Sequence, residues 1–241
     1  MSLALKLALA PVLVAQAVRT RRRAPLLPEA SGPRRGVVGK GAELRLLIVG
    51  DSSGAGVGVM TQQLALAGYL TRHLAQSAAM RVAWQLVAKS GITSAQALAL
   101  VQQERVDTAD IAVAVLGVND VIDQVPSQRA VQHRAALADW LFANTGVRHV
   151  VFAPLPPMHQ FPLLPQPLRW IMGSDARRHD RAMAQWAATR PDVSHVPIDI
   201  SLAADAMASD GFHPGEPVYR TCGEALAHFI AENLIPTETS A

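Results

Sequence analysis

An apolar run that stops at a glycine-rich loop constrains this chain more than any other feature. Residues 44–50 read Leu-Arg-Leu-Leu-Ile-Val-Gly, and Asp51-Ser52-Ser53-Gly54-Ala55-Gly56-Val57-Gly58 follow. A continuous apolar run bounded by glycine predicts a strand buried on both faces, as in a parallel sheet between helices. Ligands of such sheets gather off the carboxyl ends of the strands, which is where Ser52 falls. Ser52 is therefore a candidate nucleophile, beside backbone N–H groups able to hold an anion. Two binding readings of the loop fail on spacing. Gly54, Gly56 and Gly58 miss the dinucleotide pattern G-x-G-x-x-G, and no lysine follows as a P-loop requires. A strand-turn-helix junction without chemistry stays open on this stretch alone.

From Leu44 onward, short apolar runs alternate with longer helical patterns. Strands are predicted at 44–50, 82–88, 110–116, 148–153 and 194–200, and helices near 60–79, 93–104, 127–145, 174–189 and 217–234. Strands alternating with helices imply right-handed crossovers. The predicted fold is a three-layer α/β/α sandwich around a five-stranded parallel sheet. Residues 154–173 are unusually rich in proline and large apolar residues for a connection. A long greasy segment of this kind either packs over the core or walls a substrate pocket.

The formal charge of +3 conceals an uneven distribution. Residues 1–40 hold eight basic side chains against Glu29, whereas the remainder holds 14 basic and 18 acidic ones. The body is thus mildly acidic, which argues against a nucleic-acid partner. A single cysteine, Cys222, excludes an internal disulfide, and no zinc-type cluster of ligands occurs.

The N-terminal segment, 1–23, is apolar from Leu3 to Val18 and ends in Arg19-Thr20-Arg21-Arg22-Arg23. It is short for a membrane span, which needs about 20 residues. Ala15-Gln16-Ala17 resembles a signal cleavage site, which leaves secretion or a periplasmic location open, but the basic cluster on its carboxyl side favours a cytoplasmic location. An apolar helix with a polybasic end suits peripheral contact with an anionic leaflet, each basic residue adding about 1 kcal/mol. A helix packed against the body is the alternative. Residues 24–43 are rich in Pro, Gly and Arg and read as a linker before a domain at 44–241.

Two further loops carry polar residues after strands. Gly117-Val118-Asn119-Asp120 follows the third, and Asp210-Gly211-Phe212-His213-Pro214 follows the fifth. A carboxylate three residues before a histidine can accept the imidazole Nδ1–H, leaving Nε2 free to take a proton from a serine hydroxyl. Either motif alone is weak. The order Ser, Asn, Asp-x-x-His, each after a predicted strand, is much stronger.

With these blocks in place, residues 44–234 resemble the SGNH (GDSL-type) hydrolase family. Gly50-Asp51-Ser52-Ser53, Gly117-Val118-Asn119-Asp120 and Asp210-Gly211-Phe212-His213-Pro214 correspond to its first, third and fifth blocks. Gly91-Ile92-Thr93 corresponds to part of the second, without the family's preceding Asn. The resemblance implies a flavodoxin-like sheet and ester hydrolysis through an acyl-serine. It implies Ser52, Asp210 and His213 as catalytic residues and an oxyanion hole of the Ser52 N–H, the Gly91 N–H and the Asn119 side chain. No metal or cofactor is expected. The expected substrate is a small-molecule or lipid ester, handled by an esterase, lipase or lysophospholipase activity. An acyltransferase or carbohydrate deacetylase with the same triad, and an inactive membrane-associated binding module, are the rival readings.

Overall fold

A computed structural model of the protein describes residues 3–235. The first two residues of the 1–23 segment and the last six of the 44–241 domain lie outside the described residues. The strands are β1 (Arg35–Val38), β2 (Glu43–Gly50), β3 (Arg81–Ala88), β4 (Ile111–Val115), β5 (His149–Phe152) and β6 (Val193–His195). The helices are α1 (Leu3–Arg23), α2 (Leu66–Ser77), α3 (Ser94–Gln103), α4 (Val118–Ile122), α5 (Ser127–Thr145), α6 (Leu168–Ala187) and α7 (Glu216–Asn233).

The strand order is β1-β3-β2-β4-β5-β6, with β2 to β6 mutually parallel. The five predicted parallel strands are therefore present, but the sheet is mixed and has six strands. The sixth is β1, antiparallel to β3, inside the stretch that reads as a linker. Its four residues Arg-Gly-Val-Val are too few for a period to emerge, and Gly36 admits the Trp84 indole, whose Nε1 lies 3.1 Å from where a Cβ would stand. Antiparallel edge strands on otherwise parallel sheets are common.

Alternation along β2 divides the core. Leu47 and Val49 pack on one face with Val101 of α3, Leu137 and Leu141 of α5 and Met183 of α6. Leu46 and Ile48 pack on the other with Leu70 and Leu74 of α2 and Leu226 and Ile230 of α7. Because successive strand side chains point to opposite faces, one apolar run serves both layers.

The chain leaves β2 for β3 on one side and returns to β4 on the other. The carboxyl end of β2 is thus a switch point, where two connections diverge and open a crevice. Helix α6 begins at Leu168, earlier than the predicted 174, because Pro167 occupies its cap and the following Leu-Arg-Trp-Ile-Met run continues the turn. Strand β6 stops at His195, shorter than the predicted 194–200, just before Pro197, which has no N–H to give a ladder. Among the described residues no helix is long and apolar enough to cross a membrane.

Candidate active site

All the residues singled out at strand ends converge on the crevice beyond β2. Ser52 follows β2 directly. Its loop is held from beneath: Asp51 Oδ1 accepts the Ser53 N–H at 2.9 Å, and the Val57 N–H donates to the Ser52 carbonyl at 3.0 Å. Gly50 and Gly54 touch backbone to backbone, a Cβ on either falling 2.7 Å from the other's Cα. Tyr219 of α7, almost fully buried, donates its hydroxyl to the Val57 carbonyl at 2.6 Å and ties the loop to that helix.

The loop before α7 brings in the imidazole. His213 Nε2 lies 3.1 Å from Ser52 Oγ, and His213 Nδ1 lies 2.5 Å from Asp210 Oδ2. Asp210 Oδ1 accepts the backbone N–H groups of Phe212 and His213, each at 2.9 Å. Burial pushes the Asp210 carboxyl up, but these hydrogen bonds outweigh it and hold it below the usual carboxylate range. An ionised Asp210 accepts the Nδ1–H, and Nε2 then presents a lone pair to the serine hydroxyl. Phe212 stacks edge-on against both Phe161 and the His213 ring, at 5.0 and 5.2 Å between centroids.

Gly91 sits at the end of β3 with φ of +81°. Two residues on, Thr93 caps α3: its N–H donates to Gln96 Oε1 at 2.9 Å, and its hydroxyl accepts the Gln96 N–H at 3.4 Å. The Gly-Ile-Thr spacing therefore has a local cause, a left-handed turn followed by a helix cap. Asn119 lies in the first turn of α4, after Gly117 at φ of +129°. Its Nδ2 donates to the Ile92 carbonyl at 3.0 Å and reaches Asp51 Oδ2 at 3.5 Å. Neither the Ser52 N–H nor the Gly91 N–H donates to another group among the described residues.

Two buried charges support this edge and gave no signal as a pair in the sequence. Arg134, from the middle of α5, lies 3.7 Å from Asp120, and both are almost wholly buried. Ser94 Oγ bridges them, donating to Asp120 at 2.6 Å and accepting from Arg134 Nε at 3.0 Å. The remaining histidines stay outside. His195 bonds Asp180 at 2.8 Å, His149 bonds Ser194 at 2.9 Å and His159 bonds Arg177 at 3.2 Å. Burial pushes the Cys222 thiol up to about 12, so it stays neutral. Among the described residues no group of three or more His, Cys, Asp or Glu is placed to hold a metal ion.

A cavity of about 530 Å³ borders the site, with Gly91, Asn119 and Phe212 at one end and Met158, Leu164 and Leu168 among its walls. The greasy segment thus packs over the core as well as lining this cavity, since Met158, Leu164 and Leu168 also belong to a buried apolar cluster. Leu163 N–H donates to the Gly211 carbonyl at 3.0 Å and joins this wall to the histidine loop. A separate cleft of about 360 Å³ opens at the amino-terminal end of β2, beside Glu43, Arg45 and Asp107, and holds none of these residues.

The fold is thus a doubly wound α/β/α sandwich with a serine, an imidazole and a carboxylate in line at its switch point. The sequence model of the GDSL-like Lipase/Acylhydrolase family matches residues 48–221, and the chain belongs to that family of ester hydrolases. Solved structures with the same fold include the lipase Lip_vut3 from a goat rumen metagenome, 19% identical, covering 78% of this chain and 97% of its own with a TM-score of 0.61. The lipase/acylhydrolase of Enterococcus faecalis is 17% identical and covers 81% and 99%, with a TM-score of 0.58. The esterase EstA of a Pseudoalteromonas species is 18% identical and covers 77% and 98%, with a TM-score of 0.55. A search of curated proteins finds no match.

Proposed function

We propose that the protein hydrolyses carboxylic esters with apolar acyl chains through an acyl-serine formed at Ser52. The observation that carries this reading is the unbroken line from Ser52 Oγ through His213 to Asp210, with spacings of 3.1 and 2.5 Å. His213 Nε2 takes the hydroxyl proton as Ser52 Oγ attacks the carbonyl carbon, and Asp210 stabilises the imidazolium. The oxyanion that forms meets the N–H groups of Ser52 and Gly91 and the Asn119 amide. His213 then protonates the leaving alkoxide, and water repeats the sequence to release the acid.

The Asn119 amide needs one hydrogen free for the oxyanion. Its bond to the Ile92 carbonyl at 3.0 Å is well formed, whereas its reach to Asp51 at 3.5 Å is at the limit of a hydrogen bond. Substrate oxygen displaces the second and keeps the first, so the amide is already aimed when substrate arrives.

The test is labelling by a fluorophosphonate, together with turnover of a panel of p-nitrophenyl esters, by the parent protein, Ser52→Ala and His213→Ala. Labelling confined to the parent and turnover lost in both variants is the expected result. A folded parent protein that neither labels nor turns over any ester is not a serine hydrolase. Adding an alcohol acceptor separates hydrolysis from transfer: a dominant transfer product would make the enzyme an acyltransferase.

The same proposal seats the enzyme at the anionic, cytoplasmic face of a membrane, where lipid esters are at hand. Leu7, Val12, Val14 and Val18 of α1 are 65, 48, 62 and 46% exposed, and Arg19, Arg21, Arg22 and Arg23 follow on the same helix. Leu7, Val14 and Val18 share one face of the helix, and exposed apolar surface beside a basic cluster matches a leaflet with anionic headgroups. Sedimentation with phosphatidylglycerol vesicles, weakened by salt and absent with phosphatidylcholine, is expected. Binding indifferent to both lipid charge and salt removes the membrane seat.

A further inference from the structure

We infer that α1 sets the acyl-chain selectivity of the site, because its last turns complete the pocket that opens beside the oxyanion donors. This rests on the hydrolase reading above. Helix α1 lies outside residues 48–221, which the family model matches. Leu9, Leu13, Gln16 and Thr20 of α1 and Ala24 just after it, spaced by three or four residues, form a half-buried stripe. That is the period of one helical face lying on a surface. Leu13 packs against the buried cluster that contains Leu155, Met158 and Leu164.

A two-sided hydrogen bond fixes the position of the helix. Gln16 Nε2 donates to the Gln166 carbonyl at 2.7 Å, and Gln16 Oε1 accepts the Leu168 N–H at 3.2 Å. Leu168 is the first residue of α6, and its N–H has no partner within that helix. One carboxamide therefore satisfies a donor and an acceptor at the junction between the greasy segment and α6. One residue further along, Ala17 and Val18 line the 530 Å³ cavity across from Leu164, Leu168 and Met172.

The cavity takes the acyl part of the substrate and not the alcohol. Its reacting end is formed by Gly91 and Asn119, the donors that would hold the carbonyl, and by Phe212, while Ser52 and His213 themselves lie just outside its walls. A volume of about 530 Å³ lies within the range of small-molecule pockets and far exceeds what an acetyl group fills. Without α1 the far wall of this pocket is solvent, and the apolar area a longer chain buries falls in proportion.

Substitutions that fill the wall or release it test this on the full chain. Val18→Trp and Ala17→Trp, at exposed positions of α1 that tolerate bulk, are expected to lower kcat/KM for p-nitrophenyl decanoate at least tenfold. Turnover of p-nitrophenyl acetate should stay within twofold. Gln16→Ala unclamps the helix and is expected to raise KM for the decanoate severalfold, again with acetate unchanged. Fluorophosphonate labelling at the parent rate in all three variants reports an intact triad. A decanoate-to-acetate ratio unchanged in all three overturns the inference. Loss of labelling and of all ester turnover in the parent itself sinks the hydrolase reading instead, so the two failures are distinct.

Discussion

The Asp51 carboxylate lies 3.5 Å from the Asn119 amide, Oδ2 to Nδ2, on the residue immediately before the candidate nucleophile. Its other oxygen accepts the Ser53 N–H at 2.9 Å. One side chain thus joins the serine loop to the asparagine loop, and it does so with only 2% of its surface exposed. Burial is the largest influence on its titration and pushes the carboxyl up to about 6, with the Ser53 N–H, His213 and Arg134 opposing and Asp120 assisting.

That shift predicts a stability profile. The folded state holds the Asp51 proton more tightly than an ordinary carboxyl of 3.8. Its contribution to stability is therefore complete below about pH 4 and is lost as pH rises through about 6. At pH 8 the ionised group costs about 3 kcal/mol relative to acid conditions. Asp51→Asn should remove this slope, giving a higher Tm than the parent at pH 8 and no advantage at pH 4. It should also lower kcat, because with its oxygen kept by the Ser53 N–H the new side chain turns an NH2 toward the Asn119 NH2, and two facing donors push the Asn119 amide out of position. Thermal melts across pH check the first part; a variant whose Tm follows the parent at every pH contradicts it.

Removing the amide itself isolates the oxyanion contribution. Asn119→Ala is expected to reduce kcat by about 10²–10³ and to leave KM nearly unchanged, since the donor matters most once charge has developed on the carbonyl oxygen. Steady-state kinetics on a short-chain ester give the split. A raised KM with kcat unchanged would instead place Asn119 in ground-state binding.

Close approach of two loops makes another position unforgiving. Gly58 has φ of +106°, and a Cβ there would fall on the Pro214 carbonyl oxygen and 2.9 Å from the Ala208 Cβ. The serine loop and the histidine loop touch at this point. Gly58→Ala should therefore cost about 1–3 kcal/mol in backbone strain and push His213 away from Ser52, lowering Tm and kcat together. Gly91→Ala is the comparison: its φ is also positive, at +81°, but nothing stands within 4 Å of the added carbon. It should destabilise by only about 1 kcal/mol.

The parts legible in the sequence are those with a local cause. Ser52, Gly91, Asn119 and the Asp210–His213 pair each follow an apolar strand pattern, and a parallel sheet brings every strand's carboxyl end to one edge. Alternation along 44–50 marks both faces of the core for the same reason. Strand β1 was not legible, because four residues with two valines make no period and its partner lies some fifty residues away. Gly58 reads as one more loop glycine until Pro214 is seen against it. Gln16 reads as part of a cleavage-like Ala-Gln-Ala, and only its bonds to Gln166 and Leu168 reveal a clamp. Contacts of long sequence separation leave no local trace.

Arg134 is the strongest case of such a contact, and it carries the last prediction. It sits in the middle of α5 with 1% of its surface exposed and pairs with Asp120, which is fully buried and adjacent to Asn119. Burial pulls the Arg134 guanidinium below its ordinary range, and Asp120 opposes that pull. Gly117 closes over the pair, where a Cβ would strike the guanidinium. The turn before Asn119 is therefore shaped around a buried cation. Removing one partner of such a pair strands the other, at a cost of about 3–5 kcal/mol. Arg134→Met should lose stability on that scale and lower kcat through displacement of Asn119. Arg134→Met combined with Asp120→Asn leaves no stranded charge and should recover part of the lost stability. It should recover less of the activity, because the Ser94 bridge at 2.6 Å that fixes the turn is still weakened. Denaturant melts and kinetics on Arg134→Met, Asp120→Asn and the double variant decide between these terms: additive losses from the two substitutions would mean that the charges do not support one another.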